Sequence, residues 1–317
     1  MSRGLGDVYK RQVRGNRAYW YDAYRVGSDV KETYIGEDTP DLRARLETAR
    51  ARIDETSAHR SSRARLVRLL HAEGFVGVDA ATGSLLTAFA RAGVFRLGGT
   101  IVGTVAFRLY EGVLGVRLGS EQALQTGDID IASFERLSLA LGDYVTDNID
   151  QVLRGLSFAP VPDLEPGKVW RWRQTKENLL VEFLTPSFEE NEGLRELKAL
   201  GVHARALHHL NYVLAEPIKA PVTYRDGILV QIPRPERFAV HKLIVADRRA
   251  EGPEPLKARK DLAQAAFLIE VLAEDRPDDL AEALEDARSR GPRWRERIDA
   301  SLARLPETKR RVEALPG

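Results

Sequence analysis

Hydrophobic residues along this chain recur with two periods, and the switches between them mark its elements. Alternation rules from Arg17 to Gly36, where RAYWYDAYRV, Gly27-Ser28-Asp29 and VKETYIG read as an aromatic β-hairpin. On a strand Tyr19 and Tyr21 point one way and Trp20, Tyr24 and Val26 the other, so both faces carry apolar surface. Thr39-Pro40-Asp41 then supplies a cap, a proline at the first helical position and an acid in the first turn. A long helix is predicted to follow as far as Gly74, broken near Ser57 or Ser61-Ser62. From there to Gly99 the chain enters the core through a short helix and a strand. An apolar run from Thr100 leads into Gly103-Thr104 and a helix through Tyr110, and the stretch closes on Asp128-Ile129-Asp130-Ile131, a strand pattern. Helical spacing returns over Phe134 to Leu156. A hairpin turns at Lys176-Glu177-Asn178, with Trp170 and Trp172 on one face and Arg171 and Arg173 on the other. A helix around Gly201 to Leu214 and a strand pair turning at Asp226-Gly227 precede amphipathic helices from Pro235 to the end, a C-terminal bundle. The predicted division is residues 13–75, 76–235 and 236–317.

Composition removes whole classes of chemistry. The chain has no cysteine, so disulfides, Cys-based zinc sites and thiol nucleophiles are excluded. Lys and Arg number 48 against 47 Asp and Glu, so net charge speaks neither for nor against a nucleic-acid partner. The six histidines are scattered; His208-His209, if helical, diverge by about 100° and read as surface polar residues. No apolar run reaches the ~20 residues of a membrane span and no signal peptide is visible, so a cytoplasmic protein without membrane contact is expected. Met1 to Gln12 has no periodicity and looks like adaptor read-through, so it is set aside.

Candidate chemistry concentrates between Thr100 and Pro186. Asp128 and Asp130 would share one strand face, repelling each other unless a cation lies between them. Oxygen ligands of this kind suit Mg²⁺ or Mn²⁺; a solvated strand face is the simpler alternative. Gly103 and Thr104, at a strand end and helix start, form an anion cradle or a plain cap. Glu182, between Val181 and Phe183, completes a three-carboxylate set if its strand adjoins that of Asp128 and Asp130, and is otherwise a solvent-facing acid. Arg60, Arg63, Arg65 and Arg68 can meet nucleic-acid phosphates or simply line a solvated helix.

The ordered motifs VGTVAF (102–107), TGDIDIA (126–132), VEFLTP (181–186), RPERFAVHKLIV (234–245) and KARKDL (257–262) resemble the nucleotidyltransferase superfamily related to DNA polymerase beta. Within it the chain is similar to a bacterial family akin to abortive-infection nucleotidyltransferase toxins. The resemblance implies an α/β (α+β) nucleotidyltransferase fold: a mixed sheet, an N-terminal hairpin with its long helix, and a C-terminal helical domain. It makes Asp128, Asp130 and Glu182 the catalytic, metal-binding carboxylates, and Gly103, Thr104, Lys242, Lys260 and Asp261 the nucleotide contacts. Read from the residues alone, Lys242 can equally be a surface lysine covering apolar neighbours. The implied reaction moves a nucleoside monophosphate from an NTP such as ATP to a hydroxyl of RNA, protein or a small molecule, with Mg²⁺ or Mn²⁺. A toxin role would add an antitoxin partner. Glu182 stands where such proteins more often carry aspartate, and the interval between Gly103 and Asp128 is long. A catalytically inactive nucleotidyltransferase fold that binds nucleic acid is therefore the alternative.

Overall fold

The computed structural model describes residues 8–26, 29–119, 127–134, 142–163, 165–188, 192–250, 252 and 255–316. Compact units form from Met1–Leu66 and Val67–Gly317. In the first, β1 (Val8–Arg14), β2 (Arg17–Val26) and β3 (Asp29–Glu37) make an antiparallel meander. The segment set aside as read-through thus contributes a strand: from Val8 its backbone pairs along β2, and the predicted hairpin has a third member. The side chains of Tyr24 and Val26, and residues Gly27 and Ser28, lie outside the described residues.

Helix α1 (Pro40–Ala72) starts where predicted, Thr39 Oγ1 accepting from the Leu42 N–H at 3.2 Å. It runs 33 residues without the predicted serine break. Neither glycine nor proline occurs between Asp41 and Glu73, and serine costs too little to end a helix.

The second unit is built on a mixed seven-stranded sheet. Helix α2 (Ala80–Ala92), N-capped by Asp79, ends at Gly93 in the left-handed region (φ +89°). The strand expected between this helix and Gly99 does not form, and Val94 to Leu97 is a turn: Leu97 N–H donates to Gly93 O, and Gly98 (φ +87°) reverses the chain again. Strand β4 (Thr100–Val102) and helix α3 (Gly103–Leu114) follow, then β5 (Asp128–Ala132). Of the helix predicted over Phe134 to Leu156, residues 135–141 lie outside the described residues and 142–148 are irregular. Only α4 (Ile149–Gly155) is helical, starting at its Asn148 cap. Strands β7 (Arg171–Gln174) and β8 (Leu180–Pro186) form the predicted antiparallel hairpin, and β6 (Phe158–Pro160) adds an antiparallel neighbour to β7.

Next come β9 (Leu194–Leu197), β10 (Val202–Leu207) and α5 (Leu210–Val213). The helix expected over Gly201 to Leu214 is thus mostly strand. Val202, Ala204 and Ala206 are buried while His203, Arg205 and Leu207 are not, a two-residue period that the alanines disguise as helix. The hairpin β11 (Ile218–Val222) and β12 (Ile228–Ile232) turns at Gly227 (φ +82°) as predicted. Helices α6 (Pro235–Ala250), α7 (Pro255–Asp275), α8 (Pro277–Ser289), α9 (Pro292–Ala303) and α10 (Pro306–Glu313) form the bundle. Each begins with proline, which fixes φ and lacks an N–H that a first turn cannot use.

One core joins sheet and bundle. Phe107 of α3 stacks on Phe238 of α6 at 6.3 Å, and Trp172 meets Phe183 edge to face at 5.5 Å. Tyr110, fully buried, donates to Pro233 O at 2.9 Å, anchoring α3 to the entrance of α6.

Candidate active site

Strand order places the acids. β5 runs parallel to β8 with Asp128 opposite Leu180 and Asp130 opposite Glu182. Ile129, Ile131, Val181 and Phe183 are buried on one face, so the period of two turns Asp128, Asp130 and Glu182 together to the other. Among the described residues no hydrogen bond or ion pair engages these three carboxylates. Burial, then the charges of Glu182 and Asp128, push the Asp130 carboxyl up to about 7, although Lys242 and Arg249 pull it back. Burial and then Asp128 raise Glu182 too, against Arg171, Lys257 and Arg205. Negative charge is crowded here beyond what the nearby cations relieve.

The glycine lies against this row. β4 pairs with β5 so that Val102 faces Asp130, and α3 begins one residue later. Gly103 adopts φ +68°, a region that L side chains rarely enter, and a Cβ there would collide with Asp130 Oδ2. Val102 provides no side-chain cap, which leaves the first N–H groups of α3 to other partners. Thr104 is the second residue of that helix.

Lys242 closes the opposite wall. It projects from α6, its Nζ donating to Asp261 Oδ1 of α7 at 2.5 Å, while Arg249 Nη1 donates to Asp261 Oδ2 at 2.5 Å. Burial raises the Asp261 carboxyl, but Lys242 and Arg249 outweigh it and hold it below the usual carboxylate range. Lys260 is lowered by burial and then by Lys242, with Asp261 and Asp128 opposing. A cavity of about 270 Å³ lies among Gly103, Asp130, Phe238, His241, Lys242 and Arg249. Of the sequence-predicted residues, Gly103, Asp130 and Lys242 line it. Asp128 and Glu182 extend the carboxylate row, and Asp261 sits behind Lys242 as its anchor.

Sequence reasoning missed several groups. Arg248, which also lines the cavity, donates to Glu192 Oε1 at 3.0 Å. The same oxygen accepts from the His208 N–H at 2.9 Å and lies 2.9 Å from His208 Nδ1. The His208-His209 pair is therefore not a surface feature: His209 has φ +67° and packs its ring 4.5 Å from Trp294. On the far side of Glu182, Arg171 and Arg205 line a second cleft of about 560 Å³. Arg171 pairs in register with Glu182, and both guanidiniums lie 5.0 to 5.4 Å from the Trp170 ring. Alternation in RWRQ and VHARAL was the available signal.

Among the described residues no three His, Asp or Glu side chains make a ready cage for a metal ion. The donor set would still suit a hard divalent cation whose remaining ligands come from a bound molecule: three carboxylates with crowded charge and, among the described residues, no hydrogen-bond or ion-pair partner.

A glycine-led helix start, the Asp130 carboxylate and a lysine anchored by Asp261 line one cavity, with Asp128 and Glu182 beside it. Residues 80–289 match a protein family described as nucleotidyltransferase, and the chain belongs to that family. The matched span holds every predicted site residue. No curated protein and no solved structure matches the chain. Among the described residues no helix is long and apolar enough to cross a membrane.

Proposed function

We propose that this chain is a metal-dependent nucleotidyltransferase that moves a nucleoside monophosphate from an NTP to a hydroxyl acceptor. The register that sets Glu182 beside Asp130, whose carboxylate lies against Gly103, carries the reading. Asp128 and Asp130, with Glu182, would hold Mg²⁺ or Mn²⁺, which when bound neutralises charge on the entering and leaving oxygens. The α3 amide groups at Gly103 and Thr104 receive phosphate oxygens, and the absent Cβ at residue 103 lets them approach. Lys242, oriented by Asp261, and the neighbouring Arg248 and Arg249 stabilise charge developing on the pyrophosphate. Glu182, whose carboxyl burial and then Asp128 raise above its ordinary range and so make a better proton acceptor, takes the proton of the attacking hydroxyl. The new bond joins acceptor oxygen to the α-phosphorus, the α–β phosphoanhydride breaks, and pyrophosphate leaves.

The acceptor approaches from the Arg171/Arg205 cleft, where two guanidiniums favour a phosphate-bearing molecule over a neutral one. RNA thus stands ahead of a protein or neutral small-molecule acceptor. Incubating the chain with each α-labelled triphosphate, Mg²⁺, and either total RNA or an RNA-free lysate is the test. Metal-dependent label in RNA, lost in Asp128→Asn, is expected; labelling that survives that substitution refutes the assignment. Growth arrest on expression, relieved by a neighbouring gene's product, would extend the reading to a toxin with an antitoxin.

A further inference from the structure

We infer that the open face of the N-terminal β-meander is a stacking platform for single-stranded nucleic acid. It lies outside the family-matched residues and stands apart from the transferase reading. Pairing of Lys10 with Tyr21, Gln12 with Tyr19, and Tyr21 with Tyr34 puts Tyr19, Tyr21 and Tyr34 on one face with Lys10, Gln12, Arg14 and Arg17. The opposite face is occupied: Trp20 Nε1 donates to Asp38 at 2.8 Å, and a Cβ at Gly36 would come 3.0 Å from Leu42 of α1.

Among the described residues the tyrosine face has no such cover. Tyr34 is 56% exposed, with the rings of Tyr21 and Tyr19 at 5.7 and 6.1 Å, both tilted steeply to it. The Arg14 guanidinium lies 5.8 Å from the Tyr21 ring centre. Cross-strand aromatic pairs stabilise a sheet wherever they occur, but stability alone does not require rings left open to water. Three neighbouring tyrosines, Tyr34 exposed and Tyr19 and Tyr21 half-buried beside it, with guanidiniums at the β1–β2 end, offer an unpaired base a ring to stack on and its phosphates a cation.

Charge agrees. Between Val8 and Leu66 there are thirteen Lys or Arg and nine Asp or Glu, while the whole chain is nearly neutral. Glu32 and Glu37 are the acids of this face: the Glu32 carboxylate is occupied by Lys10 at 2.8 Å and Gln12 at 2.7 Å, and that of Glu37, opposite Tyr19, lies 3.7 Å from Arg17. A duplex hides its base faces, so the same surface discriminates against it.

The test titrates the full chain into fluorescein-labelled oligo-U, oligo-dT and a blunt duplex of about twelve nucleotides, following anisotropy at two salt concentrations. EDTA is present and triphosphate absent, so an inert transferase site leaves the measurement untouched, and a failure here leaves that site's assignment standing. Single strands should bind more tightly than duplex and weaken with salt. Tyr34→Ala should bind roughly tenfold or more weaker, Tyr34→Phe should bind like the parent, and Arg14→Gln should shallow the salt slope by about 0.7. Tyr34 is exposed, so its truncation leaves the fold intact, which an unchanged melting curve verifies. Duplex binding equal to single-strand binding, parental affinity in a folded Tyr34→Ala, or no binding at low salt each overturns the inference.

Discussion

At residue scale the site is a balance of repulsion and close approach. Asp130 sits where a neighbour's Cβ is missing and two like charges are near. Asp130→Asn keeps the shape and removes one charge, so the metal-free chain should gain about 1–2 kcal/mol of stability while transfer is lost. Thermal melts in EDTA decide this, and a lower melting temperature would refute the repulsion. Gly103→Ala should act oppositely. A left-handed φ and a collision with Asp130 cost about 1–3 kcal/mol, and Mg²⁺-dependent stabilisation by ATP should vanish with it. The residues flanking Gly103 and the D-I-D-I alternation were readable because both are local patterns. That Glu182 stands beside Asp130 was only a condition in the sequence; the β5–β8 register fulfils it.

At element scale two helices hold the cation wall. Lys242 and Arg249 of α6 share the carboxylate of Asp261 on α7, so the lysine's position depends on how those helices pack. Asp261→Ala strands a buried ammonium and should cost about 3–5 kcal/mol, with weakened triphosphate binding. Denaturant titration and nucleotide-induced melting shifts read the two effects separately. In the sheet, Trp172→Ala removes a fully buried indole packed on Phe183 and should cost about 3–5 kcal/mol. The Trp/Arg hairpin was legible because its large side chains alternate without ambiguity. β10 was not: small alanines carry little periodic signal, and a helix preference outweighed the alternation in VHARAL. Arg205 went unassigned with it, and His208 was read as a surface residue.

For the whole molecule, buried histidines set the acid side of stability. His241, pushed down to about 3 chiefly by burial and then by Lys242, and His209, pushed down to about 4 by burial and then by Arg248, stay neutral when folded. The unfolded chain protonates both near 6.5, so it binds more protons below that pH. Their contribution is complete above about pH 6.5 and is lost as pH falls toward 4, about 1–2 kcal/mol apiece by pH 5. Asp130 works in the opposite sense, since its raised pKa makes the folded chain take a proton first as pH drops below about 7. His241→Asn should therefore flatten the decline between pH 6.5 and 4.5, and Asp130→Asn should steepen it. Unfolding free energies across that window check both slopes.

The sequence by itself determined the chemistry on offer: acids without cysteine, a glycine before a helix, helix starts at proline and a strand pattern that turns two carboxylates to one side. These follow from short-range sterics and side-chain period, which neighbours in the chain fix. Tertiary structure alone decided which acids meet, that Asp261 serves Lys242 and Arg249, and that Arg171 and Arg205 flank Glu182. Strand order and helix packing are set by how distant apolar faces are buried together, and no local pattern encodes that pairing.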